Sequence, residues 1–539
     1  MSDKQTKKGK TFLIIIGIMA SLLLSALDST VVSTAMEKIV ENLGGMQYYS
    51  WPFTMYIMCS TLAIVVSGGL SDIYGHKPMI LIGITTFLLG SMFCGMSQNM
   101  AQLIICRGIQ GIGGGMIVSS VFIIVADLFE PAERGKYTGI VTSMYGLASI
   151  IGPLAGGFIT DHLGWRWIFY VNIPLGLVAI GILALSLPSF KSDQLKKSVD
   201  YKGIAALILM LVPMLLDLSM VRTNFAWFSV PCIGLFAVSV IMLLLFVFVE
   251  KKSSNPIIPL AFFKERAISV SFLIAFFSQA LMFSAIMYMP YFVQGVIGST
   301  ATTSGAVITP MMLGLLIASA FTGILLSKTG KAKILAIAAF ATMALGVFLL
   351  STMGIGTSYL QAIFFMVILG IGIGISMPIS NVNAQNAAPK NQIGSVTSAV
   401  MFFKNMGGTI SSAIFGVIMS NSLTNGFSKL NMQYLPKNIQ ELLKNTQVIT
   451  NSQTVETIKE HVPKMYHGYF DKIYLQAKGV LSNSIHNIFF FCIGVAFIGL
   501  ILSLFLRDAP VRKSYNLSSK KQTGLEDESN TRIAAGSKN

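Results

Sequence analysis

Fourteen long apolar runs, spread along nearly the whole chain, restrict what it can fold into. A helix needs about 20 predominantly apolar residues to cross a bilayer. We place runs of that kind at 11–36, 48–71, 78–98, 101–128, 136–160, 165–189, 201–221, 226–249, 267–295, 303–327, 333–353, 358–386, 393–421 and 484–506. Only 11% of the residues are charged, whereas soluble domains carry about 25%. The sequence therefore predicts an all-α polytopic membrane protein with fourteen transmembrane helices.

The connections between these runs differ in charge. Alternate connections carry most of the basic residues, namely Lys77, Arg134, Lys136, Lys191, Lys196, Lys197, Lys202, Lys251, Lys252, Lys264, Arg266, Lys328, Lys331, Lys333 and Lys390. The opposite short connections hold Lys38, Arg166 and Arg222. Because basic connections stay in the cytoplasm, we predict a plasma-membrane protein with both termini cytoplasmic. This topology accounts for the formal net charge of +16 without a nucleic-acid partner.

Two polar segments lie outside the predicted bilayer. The segment 422–483 is predicted to form an extracellular loop with amphipathic, partly helical stretches, and 507–539 a disordered cytoplasmic tail. All five cysteines lie in apolar runs without metal-ligand spacing, so we expect neither a disulfide framework nor a metal site. The sequence has no phosphate-binding loop. We therefore expect no cofactor and no catalytic residues.

A weak internal repeat divides the chain. The matched positions are Gly68 with Gly323, Gly75 with Gly330, GIGGG at 111–115 with GIGIG at 370–374, and Gly135 with Gly394. Such repeats are typical of transporters built from two related halves. We predict two six-helix bundles, at 11–189 and 267–506, related by pseudo-twofold symmetry, with two inserted membrane helices at 201–249.

Five motifs, in order along the chain, carry a family resemblance. They are LDSTVVSTA at 27–35, GGLSDIYGHK at 68–77, LIICRGIQGIGGG at 103–115, GPLAGG at 152–157 and LGWRWIFYVNIPLG at 163–176. Together they resemble the major facilitator superfamily, and more closely its fourteen-span drug:proton antiporter branch. The resemblance covers about 11–421 and the last helix. It implies a monomeric bacterial exporter that exchanges lipophilic drugs or toxic compounds for protons and is driven by the proton gradient.

The resemblance also implies a cytoplasmic gate. Its residues follow the second span and end the fourth, and they are Gly68, Asp72, Gly75, His76, Lys77 and Asp127. The sequence departs from the family pattern at Ile73 and His76, where arginines are usual. An imidazole changes charge near neutral pH, but a guanidinium does not. We hypothesise that the gate weakens as cytoplasmic pH rises; alternatively, Lys77 supplies the charge and His76 is incidental.

The GPLAGG motif combines small residues with a proline. Gly152 and Gly156 have the small-xxx-small spacing that lets two helices approach closely. Pro153 removes a backbone hydrogen bond and can bend the helix, and Gly157 completes the motif. The resemblance implies that this segment packs at the interface of the two halves and restricts leak. An ordinary close-packing site is the alternative.

Charged residues are costly inside a bilayer, so each one is a functional candidate. No Asp or Glu lies between Glu265 and Glu441, so a carboxylate that carries a proton must lie in the N-terminal half. Helix rise places Asp28 and Arg107 at similar depth. We predict that these two residues form the proton-coupling site, with a purely structural salt bridge as the alternative. Asp217 is expected to pair with Arg222 near the bilayer surface.

Lys404 lies deep in the thirteenth predicted span. We predict that it faces the substrate cavity together with Asn381 and favours substrates with an anionic or acceptor group. The alternative is that the nearby amides of Asn381, Asn383 and Gln385 solvate it.

Three other functions fit the same sequence. The chain could export a single endogenous metabolite, such as a siderophore or lipid precursor, with every motif unchanged. It could also import by proton symport, against which GPLAGG argues, or act as a non-transporting receptor or scaffold through 422–483. The Asp28–Arg107 pair would then be only structural.

Overall fold

The computed structural model describes residues 2–44, 48, 51–188, 200–220, 229–253, 256–299, 301–430, 440, 452–460, 462 and 466–508. Within these ranges the chain is helical and contains no β-strand, which confirms the predicted all-α class. The predicted tail beyond 508 and much of the predicted external loop lie outside the described residues.

The helices follow the predicted spans in order. The N-terminal half contains α1 (Ser2–Leu43), α2 (Trp51–Tyr74), α3 (His76–Met96), α4 (Met100–Leu128), α5 (Pro131–His162), α6 (Trp167–Tyr170) and α7 (Asn172–Ser186). The inserted helices are α8 (Tyr201–Met220) and α9 (Val230–Lys252). The C-terminal half contains α10 (Arg266–Phe292), α11 (Ala301–Thr329), α12 (Ala332–Ser351), α13 (Tyr359–Ala387), α14 (Ile393–Ser428), α15 (Ser452–Glu460) and α16 (His467–Leu504). A turn at Val171 divides the sixth predicted span into α6 and α7.

In the described part of the chain, eleven segments are long and apolar enough to cross a membrane. The remaining three predicted spans also form helices, α5, α8 and α14. Both α5 and α14 lie between the two halves and carry many Gly, Ser and Thr residues. Small and weakly polar residues suit close helix packing, and they also lower the hydropathy of these two helices.

The two halves repeat the same packing. In the N-terminal half, α4 packs on α2 and α3, while α1 packs on α5 and α7. In the C-terminal half, α13 packs on α11 and α12, while α10 packs on α14 and α16. Between the halves, α5 packs on α11, and α2 packs on α14. The internal sequence repeat therefore corresponds to a repeat in three dimensions.

Matched glycines form the two seams between the halves. A Cβ at Gly68 would lie 2.8 Å from the carbonyl oxygen of Gly394, and one at Gly135 would lie 2.6 Å from that of Gly323. In the sequence repeat, Gly68 corresponds to Gly323, and Gly135 corresponds to Gly394. In the structure Gly68 meets Gly394, and Gly135 meets Gly323. Any side chain at these positions would separate the helices.

The inserted pair is peripheral. The two helices α8 and α9 pack on each other, and α8 contacts α2 and α14. Asp217 is buried and lies beside Cys232 of α9. Its predicted partner, Arg222, lies outside the described residues.

The boundaries of the predicted external segment 422–483 differ from the structure. The helix α14 continues to Ser428, and α16 begins at His467, 38 residues long. At 1.5 Å per residue α16 is about 57 Å long, well beyond a hydrocarbon core of about 30 Å. The extension is stable because Phe470, Ile473 and Ala477 pack into the core of the C-terminal half.

Candidate functional site

The structure brings Asp28 of α1 and Arg107 of α4 into contact. Arg107 Nη1 donates a hydrogen bond of 2.6 Å to Asp28 Oδ2. Asp28 is 2% exposed and Arg107 is 1% exposed. The predicted pairing is thus present in the protein interior, while its role in proton coupling stays a prediction.

Two amides complete the hydrogen bonds of the Asp28 carboxylate. Gln110 Nε2 donates to Asp28 Oδ1 at 2.7 Å, and Asn172 Nδ2 donates to the same oxygen at 3.2 Å. Gln110 Oε1 in turn accepts from Arg107 Nη1 at 2.7 Å. Asn172 also donates to Ser91 Oγ at 3.0 Å, which fixes its orientation. The carboxylate of α1 is therefore held by side chains of two other helices, α4 and α7.

Sequence reasoning missed both amides. Gln110 lies one helical turn after Arg107, inside the motif LIICRGIQGIGGG, and Asn172 is the amide in the string LGWRWIFYVNIPLG. Residues three apart share a helix face, so the spacing of Arg107 and Gln110 could have indicated a shared partner.

An aromatic ring covers the guanidinium. The Tyr56 ring centroid lies 4.3 Å from Arg107 Cζ, and the Tyr56 hydroxyl lies 3.2 Å from Ser25 Oγ. A cation over an aromatic face is stabilised where water is excluded. The cluster can therefore hold a charge pair away from solvent, and a proton on Asp28 would change its net charge by one.

A second polar cluster joins the halves beside the α2–α3 connection. Asp72 accepts hydrogen bonds from the backbone nitrogens of Gly394 and Ser395, both at 2.9 Å, and from Ser395 Oγ at 2.8 Å. The carboxylate thereby caps the N-terminus of α14, where free N–H groups and the helix dipole favour a negative charge. Gly75, with φ of 90°, makes the turn into α3 that only glycine adopts readily.

His76, rather than Lys77, contacts Asp127. His76 Nε2 lies 2.5 Å from Asp127 Oδ2, and its Nδ1 lies 2.5 Å from Ser71 Oγ. Lys77 Nζ donates instead to the carbonyl oxygens of Ala184 and Leu187, at 2.7 and 2.8 Å. The lysine thus binds the C-terminal end of α7, and the geometry favours the histidine as the partner of Asp127.

Further hydrogen bonds between the halves lie towards the same end. They are Ser119 with Ser398 (2.6 Å), Arg134 with Asn386 (3.2 Å), the backbone nitrogen of Lys136 with Ser327 (3.0 Å) and Gln385 with the carbonyl of Phe122 (3.3 Å). We call this the inner end, because the charge pattern predicts that it is cytoplasmic. The halves are therefore closed at the inner end.

We expect His76→Arg to change how transport depends on the pH at the cytoplasmic face. Imidazoles as a class change charge near neutral pH, whereas a guanidinium does not, so the substitution places a permanent charge beside Asp127. If the contact with Asp127 gates transport, the wild type should depend more steeply on cytoplasmic pH than the arginine variant. The measurement is uptake into inside-out vesicles, whose exterior corresponds to the cytoplasm. The exterior pH is varied, and the interior is buffered separately. Superimposable profiles for the two proteins would refute the idea, and Lys77→Arg is the matched control.

Gly152 and Gly156 of the GPLAGG motif contact α1 of their own half. The implied role of the motif at the interface of the two halves stays a prediction. A Cβ at Gly152 would collide with the Thr30 side chain, and one at Gly156 would lie 3.1 Å from both Cα and O of Val31. At Gly157 a Cβ would meet nothing within 4 Å among the described residues. Other glycines of α5 form the seam with α11. The side chain of Pro153 lies outside the described part, but the helix continues through its backbone.

Lys404 is placed between the halves. Its Nζ lies 5.1 Å from the centroid of the Tyr145 ring, which belongs to α5 of the opposite half. Among the described residues no hydrogen bond joins Lys404 to the α13 amides: Asn381 Nδ2 donates to Met377 O within its own helix, and the NH2 groups of Asn383 and Gln385 donate elsewhere. Solvation by these amides stays an alternative. Asn381 is 4% exposed, and its place in a substrate cavity stays a prediction.

Two repeated six-helix halves, with a buried ion pair and a closed inner end, define a multi-pass membrane transporter. Residues 18–412 match the Major Facilitator Superfamily. The chain is 36% identical over 531 residues to the multidrug transporter protein MdtP of Bacillus subtilis, and the match covers 96% of each protein. The chain therefore belongs to the Major Facilitator Superfamily, as the motifs predict.

Other proteins agree with this assignment. Multidrug resistance protein 3 of Bacillus subtilis is 34% identical over 425 residues, which cover 79% of this chain and 83% of that protein. The human organic anion transporter MFSD10 has the same fold with a TM-score of 0.57 at 15% identity, covering 91% of this chain and 99% of that one. The proton:xylose symporter XylE matches with a TM-score of 0.57 at 16% identity, over 77% and 90%. These structural likenesses show the fold alone.

Proposed function

We propose that this protein exports lipophilic small molecules from the cell in exchange for protons. The relatives named as multidrug transporters support drug efflux, because the similarity to MdtP extends over nearly the whole chain. The proton is carried by Asp28, and substrate and proton compete for the central cavity as the two halves alternate in access.

The Asp28 cluster is the observation that carries this proposal. Asp28 is a buried carboxylate of α1, bonded by side chains of α4 and α7. Because the cluster is shielded from solvent and joins three helices, a change of charge on Asp28 would alter contacts to α4 and α7 together. Such an arrangement suits a group that couples proton binding to movement of helices.

The test is transport by the purified protein in proteoliposomes with an imposed pH gradient. The panel contains cationic, zwitterionic and anionic lipophilic compounds. We expect several unrelated compounds to accumulate against their gradients, with proton movement in the opposite direction, and accumulation to collapse when a protonophore is added.

The same assay separates the other functions. Movement of only one compound of the panel would favour a dedicated exporter. Protons that move in the same direction as substrate would indicate symport. Binding without any accumulation would indicate a receptor or scaffold, and each of these results would overturn the proposal.

A further inference from the structure

The central helices carry an unbalanced positive charge. Away from their ends, the described parts of these helices carry Asp28 and Arg107, which neutralise each other, and Lys404, about 16 Å along α14. Since the sequence has no Asp or Glu between Glu265 and Glu441, the helices α10 to α14 hold no carboxylate that could balance Lys404. The described central helices therefore carry one positive charge more than negative charges.

Among the described residues, no hydrogen bond or ion pair reaches the ammonium of Lys404, which lies over the face of the Tyr145 ring. The side-chain NH2 groups of Asn383 and Gln385 donate to other partners. An unpaired charge at this depth is costly, so a ligand that brings an anionic group would be stabilised there.

The direction of the side chain indicates which space this ligand would occupy. Lys404 belongs to α14 and Tyr145 to α5, so the ammonium points between the halves and not towards lipid. One turn further along the same face of α14, a Cβ on Gly408 would lie 3.0 Å from the Phe283 ring. The half-buried Phe283 ring of α10 thus packs against α14 one turn from Lys404.

We propose that Lys404 and Phe283 form a subsite for lipophilic monoanions, in which the ammonium binds the carboxylate and the ring packs on the apolar body. This inference rests on the proposed export function and names its substrate class.

The test is equilibrium binding to the purified protein in nanodiscs, without any gradient. Two probes share one apolar body and differ in charge: 1-naphthaleneacetate and (1-naphthylmethyl)trimethylammonium. We expect Lys404→Gln to weaken binding of the acetate roughly tenfold to a hundredfold, the factor that one charge-assisted hydrogen bond contributes. Lys404→Arg should keep most of it, and binding of the ammonium probe should be unchanged or stronger.

Lys478→Gln is the matched control. Lys478 also lies over a tyrosine ring, 5.0 Å from the centroid of Tyr474, but in the outer part of α16. Its loss should leave both probes bound as in the wild type. Absence of saturable acetate binding by the wild type, equal weakening of both probes in Lys404→Gln, or an equal effect of Lys478→Gln would each overturn the subsite. Because no gradient is used, a protein that binds the acetate but does not transport it would refute only the proposed export.

Discussion

Asp28→Asn is expected to abolish proton-driven accumulation of substrate. The asparagine has nearly the same shape and can still accept from Arg107, but it cannot exchange a proton. Transport down a substrate gradient, which needs no proton, should persist in part, and proton release on substrate binding should be lost. The measurements are accumulation in proteoliposomes under an imposed pH gradient and the proton release recorded with a pH-sensitive dye. Asp28→Glu should retain part of the activity, because it preserves the carboxyl group.

A second variant separates coupling from structure. Removing one partner of a buried ion pair leaves an uncompensated charge and costs about 3–5 kcal/mol, so Asp28→Asn alone should unfold at a lower temperature. Adding Arg107→Gln removes the remaining charge and should restore most of that stability without restoring proton-driven transport. A double variant that regains both stability and accumulation would show that the pair is only structural and that the proton is carried elsewhere.

The sequence is informative where the signal is local. The fourteen helices follow from apolar runs, since each run must satisfy its own backbone inside the bilayer. The repeat of Gly68 and Gly135 with Gly323 and Gly394 was visible as weak similarity. The structure supplies its physical reason, which is that Gly68 meets Gly394 across one seam and Gly135 meets Gly323 across the other.

The candidate site could be predicted only in part. Asp28 and Arg107 stand out because a charge in a bilayer is rare and costly. Gln110 and Asn172 carry no charge, and apart from the spacing of Gln110 from Arg107 nothing in the local sequence distinguishes them from other polar residues in membrane helices. Their role depends on α4 and α7 meeting at α1, which no local pattern specifies.

The sequence says even less about which neighbour each face of a helix contacts. Glycines occur along the whole of α5, and their spacing does not say which neighbour each one contacts. The inner part of the helix meets α11 through Gly135, whereas the outer part meets α1 through Gly156. Likewise, an amphipathic stretch before the last span fits either a separate surface helix or the continuous α16 that the structure contains.

Gly156→Ala is expected to impair transport severely, while Gly157→Ala should leave it near the wild-type rate. A methyl group at Gly156 would lie 3.1 Å from the backbone Cα of Val31, closer than ordinary van der Waals contact. The nearest atom would be Thr34 Oγ1, whose side chain can rotate, but the Val31 backbone cannot, so α1 must give by a few tenths of an ångström. Asp28 lies one turn before Val31 on that helix. The displacement would disturb the hydrogen bonds of Gln110 and Asn172 to the carboxylate, and we expect roughly a tenfold or greater loss, because small misplacements of reacting groups have effects of that size.

The neighbouring glycine provides the matched control for this last prediction. Both substitutions add one methyl group to the same turn of α5, and only at Gly156 does the new atom meet α1. The measurements are proton-driven accumulation and the midpoint of thermal unfolding for both variants. Equal activity of Gly156→Ala and Gly157→Ala would show that the approach of α5 to α1 does not set the position of Asp28. A loss in Gly156→Ala that Thr34→Ala repairs would place the conflict at the Thr34 hydroxyl instead of the Val31 backbone, and α1 would then need no shift.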